Sequence, residues 1–206
     1  MTSKDVVAYN TLPSLRQAAA RMDEKTRALL FGDIRNLFLE SGVNDMYGLC
    51  LLHKHFPIDD SERLVEYGHT STPWRKPDDG GDTKYGGAIA ARSWRSVEGI
   101  MIPYEFFYSD VAPSYNTAFA AKLSILLHEL GVQETFGLRY LGGHDSALSM
   151  EITEGRANIM MPRGAIPDSE VIDALWIFGV DEDDRCNCGE VCFKTSSGHD
   201  RDHKCG

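Results

Sequence analysis

The chain has 206 residues, 42% of them hydrophobic and 25% charged, and a formal net charge of −10. This is enough sequence for one domain with a buried core, and no apolar run reaches the length of a membrane-spanning helix. An acidic chain in which Arg63, Arg92 and Arg95 make no basic face argues against nucleic acid as a partner. The opening segment carries Lys4 and Asp5 and lacks the apolar stretch of a signal peptide. A cytoplasmic setting with reduced thiols is therefore expected.

Taken in chain order, Pro13 to Met22 is predicted as a helix, with Pro13 in its first turn and Ala18, Ala19 and Ala20 favouring helix. A second helix is predicted from Asp23 to Ser41, where Leu30, Ile34, Leu37 and Phe38 recur at helical spacing between an Asp23 cap and a Gly42 stop. Met46 to Phe56 is strongly apolar and reads as a strand covered on both faces. Strands follow at Glu62 to Tyr67, Ala88 to Trp94 and Gly99 to Tyr108. Thr70 to Gly87 reads as a long polar loop, either a lid or an idle excursion. Ser114 to Leu130 repeats the helical stripe with Phe119, Leu123, Leu126, Leu127 and Leu130, and Gly131 ends it. Strands are then expected at Thr135 to Leu141, Leu148 to Thr153, Ala157 to Pro162 and Val171 to Phe178, with a hairpin turn at Glu154-Gly155.

This order predicts an α+β fold: a largely antiparallel sheet of about eight strands packed with two or three helices. Residues 1–180 form the single domain. Residues 181–206 are read as an acidic linker, with Asp181, Glu182, Asp183 and Asp184, and a Cys/His-rich metal-binding tail.

The tail holds Cys186, Cys188, Cys192, His199, His203 and Cys205, which include four of the chain's five cysteines. Thiolates and imidazoles so close in sequence can converge on one ion, and zinc is the expected cofactor. Six candidates exceed the four ligands of a tetrahedral site, so which four bind stays open. Cys188, Cys192, His199 and His203 make one sensible set. The six residues between Cys192 and His199 leave no room for the recognition helix of a DNA-reading finger.

A second concentration of chemistry is Leu49-Cys50-Leu51-Leu52-His53-Lys54-His55-Phe56. On a strand, His53 and His55 share one face. They can supply two ligands to a metal, act as an acid and base, or sit as a hydrogen-bonded structural pair. Glu105, a single carboxylate in the apolar run Ile102 to Phe107, is the candidate third group, with Tyr104 and Tyr108 expected on the opposite face. His69 and the His144-Asp145 pair are loop candidates near strand ends, and His128 suits the C-terminal dipole of its helix. The chain has no phosphate loop, dinucleotide fingerprint, nucleophile elbow or H-E-x-x-H helix. Cys50, among leucines, reads as a buried, inert thiol.

The stretch Tyr47 to Phe56, with Glu62 to Glu66 and Thr72-Pro73 after it, resembles a group of uncharacterised fungal proteins. In these a His-x-His-Phe strand precedes a mixed body and a Cys/His-rich C-terminus. The resemblance implies no particular reaction. It does imply that His53, His55 and the tail belong to one unit.

The resulting expectation is an intracellular zinc-binding protein that acts as an enzyme on a small aromatic or apolar molecule. Its chemistry would be non-redox, namely hydrolysis, elimination or isomerisation, making it a lyase, hydrolase or isomerase. The alternatives are a zinc-stabilised interaction protein and a thiol redox sensor. The enzyme reading requires His53 and His55 to face a ligand-sized cavity lined by aromatics.

Overall fold

The computed structural model describes residues 3–76, 88–110, 113–142, 149–162, 171–179, 187–194 and 203–205. The helical half of the order is α1 (Lys4–Asn10), α2 (Leu15–Ala19), α3 (Glu24–Leu29), a π-helical turn (Leu30–Ile34) and α4 (Arg35–Glu40). Then come β1 (Tyr47–Leu51), β2 (Glu62–Tyr67), β3 (Thr70–Arg75), β4 (Ala88–Val97) and β5 (Ile100–Ser109). The chain continues through α5 (Thr117–Glu129), β6 (Phe136–Tyr140), β7 (Ser149–Glu154), β8 (Ala157–Pro162), β9 (Val171–Ile177), β10 (Asn187–Lys194) and β11 (His203–Cys205).

Nine strands form one curled sheet in the order β9-β1-β6-β4-β5-β2-β3-β8-β7. β10 pairs antiparallel with β9 and parallel with β7, which closes the sheet into a barrel. β11 pairs with both β10 and β7. The expected mix of helices with a largely antiparallel sheet is present; β2–β5 and β7–β10 are the parallel pairs among the described residues. Residues assigned from sequence to the tail thus supply backbone to the sheet itself.

Local chemistry explains most of the boundaries. Ser14 and Gln17 make a capping box at α2. Asp23 accepts from the Thr26 amide at 2.7 Å to start α3. The helix predicted from Asp23 to Ser41 is interrupted at Gly32 (φ −98°, ψ −108°), which separates α3 from α4. Asn116 caps α5, and Gly131 at φ 72° ends it. α1 was not foreseen: its Lys4 and Asp5 hide a short apolar face, Val6, Ala8 and Tyr9, that is buried against Leu64 and Tyr104.

Two corrections concern strands. Thr70 to Arg75 is a strand, hairpinned to β2 with Thr70 opposite Tyr67 and Gly68 at φ 62°, although it was expected in a polar loop. Its Thr residues and Trp74 suit a half-exposed strand better than their polarity suggests. Residues 77–87, the remainder of the expected lid, lie outside the described residues. The apolar run expected as a strand to Phe56 ends its pairing at Leu51. Beyond it, Leu52 donates to the Thr135 carbonyl and Lys54 to that of Pro13, so the chain leaves the sheet to dock on the α1–α2 connection.

The main apolar cluster joins Ile34 and Phe38, Phe119 and Leu123 of α5, and alternate residues of β1 and β6: Tyr47, Leu49, Leu51, Phe136 and Leu138. The intervening residue Gly137 is pressed from the other side. A Cβ there would lie 2.5 Å from the Trp94 carbonyl oxygen and 2.7 Å from Leu52 Cδ2. Gly137→Ala is expected to cost about 1–3 kcal/mol by overpacking, read as a lower urea midpoint at unchanged m.

Arg156, in the β7–β8 turn, clamps the barrel by donating to both carboxylate oxygens of Glu62 on β2. That hydrogen bond, with the Asp59 amide and nearby positive charge, holds the Glu62 carboxyl below its ordinary value against a smaller opposing effect of burial. A depressed folded-state value stabilises the protein above the unfolded value, about 4.3, and the gain is lost as pH falls through the folded value. Glu62→Gln should therefore flatten the acid limb of a stability-versus-pH curve; an unchanged limb would refute this role.

Candidate metal centre

His53 and His55 lie just after β1, 8% and 7% exposed, with their ring centroids 4.7 Å apart. Each imidazole has its Nδ1 beside a polar neighbour, which orients the ring. His53 Nδ1 is 2.9 Å from the Leu51 carbonyl, which can only accept. In the neutral ring Nδ1 carries the hydrogen and Nε2 the lone pair. Thr153 donates its one hydroxyl hydrogen to Asn158 Oδ1 at 2.6 Å. Toward His55 Nδ1, 3.2 Å away, it can therefore only accept. This again leaves the lone pair of a neutral ring on Nε2.

His55 Nε2 stands 3.4 Å from Glu151 Oε2. A lone pair set against a carboxylate oxygen in a buried place is repulsive unless a cation, either a proton or a metal ion, intervenes. One ligand atom from each of His53, His55 and Glu151 falls within 4.8 Å of the others, and all three residues are buried. This group can hold a metal ion.

The group borders a cavity of about 10 Å³, room for one water or ion. Cys50, Tyr104, Glu105 and Arg139 also line it. Cys50 is buried, as expected, and its sulfur lies 3.4 Å from the Tyr104 hydroxyl. Burial pushes the Tyr104 phenol well above its ordinary value, so the hydroxyl stays neutral. Tyr104 and Glu105, expected on opposite faces, line the same cavity. The β4–β5 register explains this: Arg92 is extra on β4 between Ala91 and Ser93, and Tyr104 is then extra on β5 between Pro103 and Glu105. Such bulges re-aim side chains that strict alternation would separate.

Glu105, the carboxylate singled out from sequence, accepts from Ser93 Oγ at 2.8 Å and Arg139 Nη1 at 3.2 Å. Arg139 also lies 3.6 Å from Glu66, which Arg92 approaches to 3.1 Å. Glu105 therefore borders the centre while paired to Arg139. The carboxylate grouped with the imidazoles is Glu151, which sequence reasoning missed. Its signal was weaker than that of Glu105: Glu151 stands between Met150 and Ile152, but β7 also carries Ser149, Thr153 and Glu154.

Of the tail ligands, Cys186 and His199 lie outside the described residues. Cys188, Cys192, His203 and Cys205 are placed by backbone register alone: Cys188 opposite Trp176, Cys192 opposite Cys205, and His203 opposite Lys194. His144 and Asp145 also lie outside the described residues. His69 sits in the β2–β3 turn, its carbonyl accepting from the Met160 amide, and His128 in the last turn of α5. Arg92 and Arg95 are buried, the latter paired with Glu134, and Arg63 lies over the Phe106 ring.

No family model, curated protein or solved structure matches this chain. Among the described residues, no helix is long and apolar enough to cross a membrane.

Proposed function

We propose that this protein is a metalloprotein holding a zinc-class divalent ion between His53, His55 and Glu151, and that the ion serves non-redox chemistry through a bound water. The observation carrying this reading is the convergence of one ligand atom from each of the buried residues His53, His55 and Glu151 to within 4.8 Å of the others, beside an ion-sized cavity. Two imidazoles and a carboxylate are a donor set zinc accepts, and three protein ligands leave a fourth position open. A water there would be acidified by the metal, with Glu105 beside it as proton acceptor and Tyr104 as a neutral hydrogen-bonding group. Hydrolysis or hydration is the class this supports. A small aromatic substrate does not fit the cavity, so that part of the sequence expectation gains no support.

The cavity's size favours a second reading, in which the ion is only a staple across β1, β7 and the barrel interior. Elemental analysis after zinc loading and dialysis tests the site, using the full chain and its substituted variants. One ion retained by the full chain and lost in a His53→Ala/His55→Ala double variant is the expected result. Loss in a folded Cys188→Ala/Cys192→Ala variant, which leaves His53, His55 and Glu151 intact, would move the site to the tail. No ion in the full chain would leave a protonated His55 paired with Glu151 and end the metal reading. Solvent-exchange measurements on the bound ion separate catalysis from stapling, since only an open position keeps a water.

A further inference from the structure

A second, larger cavity of about 250 Å³ opens on the other side of the same strands. Side chains alternate along a strand, so Arg139 lines the ion-sized cavity while its neighbour Tyr140 lines this one. Tyr47, the register partner of Tyr140 on β1, joins it. The rings of Trp94 and Tyr115 lie 4.9 Å apart and nearly parallel at 26°, and Tyr47 meets Tyr140 edge-on at 6.0 Å. Ala91 and Pro113 supply small apolar surface, and no lining residue is charged among the described residues.

The polar edge is specific. The Tyr47 hydroxyl is committed, donating to the Ser114 carbonyl and accepting from the Asn116 amide at 3.0 Å. The Tyr115 hydroxyl has no hydrogen-bond partner among the described residues. Burial, with a smaller effect of Tyr47, pushes it up to about 12, so it offers an O–H at neutral pH.

We propose that this cavity is a binding site for a neutral, planar aromatic molecule of one or two fused rings carrying a hydrogen-bonding edge. A dry cavity of about 150 Å³ accepts benzene, so the larger volume suits a bicyclic ring. Flat rings set in stacked and edge-on pairs favour a flat guest. The lack of a charged lining residue selects against an ionised one, whose desolvation nothing would offset. The site is independent of the metal centre because the sheet separates them.

Calorimetric titration of the folded full chain with indole, and with indole-3-carboxylate as the charged control, tests this. Saturable one-to-one binding of indole is expected, at least tenfold tighter than the carboxylate and unchanged by a chelator. Ala91→Leu, which fills the cavity, should weaken indole at least tenfold. Tyr115→Leu, at a half-buried position outside the barrel wall, removes the stacked ring and hydroxyl and should do the same; it supplies the answer if Ala91→Leu does not fold. Absence of saturable binding overturns the proposal, as does equal affinity for the carboxylate. Undiminished binding in a folded cavity variant also overturns it, and chelator sensitivity overturns the independence of the two sites.

Discussion

Zinc is expected to raise the melting temperature of the wild-type chain by about 5–10 °C and to leave Glu151→Gln unmoved. Ligand binding to the native state at about 100 times its Kd adds about 2.7 kcal/mol, and a chain of this size gains roughly 2–4 °C per kcal/mol. Gln keeps the shape of Glu151 and removes the negative charge that a divalent ion needs. It also separates the two cations that fit between His55 and Glu151. If that cation is a metal, the variant loses the zinc-dependent increment and its stability no longer responds to chelator. If it is a proton on His55, wild type and variant respond to zinc identically. Differential scanning calorimetry with and without zinc and chelator reads this directly. An equal zinc shift in both chains would place the ion elsewhere, and no shift in either would remove it.

Arg139→Met is expected to cost about 3–5 kcal/mol, because it leaves two buried carboxylates short of their shared counter-charge. At this chain length that is a fall of roughly 10 °C in melting temperature. The guanidinium ties Glu105 to Glu66, at 3.2 and 3.6 Å, with side chains 8% to 13% exposed. Adding Glu105→Gln to Arg139→Met should restore part of the loss, since it removes one of the two charges that Arg139 offsets; the double-mutant cycle measures that coupling. Additive effects would mean the pair is not coupled and that Arg139 acts through packing alone. Metal content should survive the Arg139 variant, because His53, His55 and Glu151 are left intact.

How much of this could be read beforehand depends on the range of the interaction concerned. The capped helix at Asp23, the Gly131 stop and the Glu154-Gly155 hairpin follow from residues within a few positions of each other, and the structure has them. The α1 helix and the β3 strand were illegible because their polar composition hides faces that only packing reveals. The break after Leu51 was illegible for the opposite reason. The apolar run continues through Leu52, and only docking against Pro13 and Ser14 diverts it.

The sequence by itself determined that two imidazoles would stand one residue apart in an apolar setting and that a lone carboxylate among apolar strand residues was worth attention. Only the tertiary structure decided which carboxylate. Glu105 and Glu151 each stand between two large hydrophobic or aromatic neighbours, but Glu105 is drawn to Arg139 and Ser93, whereas Glu151 reaches His55. Local pattern limits which residue types share a strand face. Barrel closure and the paired bulges at Arg92 and Tyr104 decide which faces meet, because register across strands distant in sequence is set by packing the whole sheet.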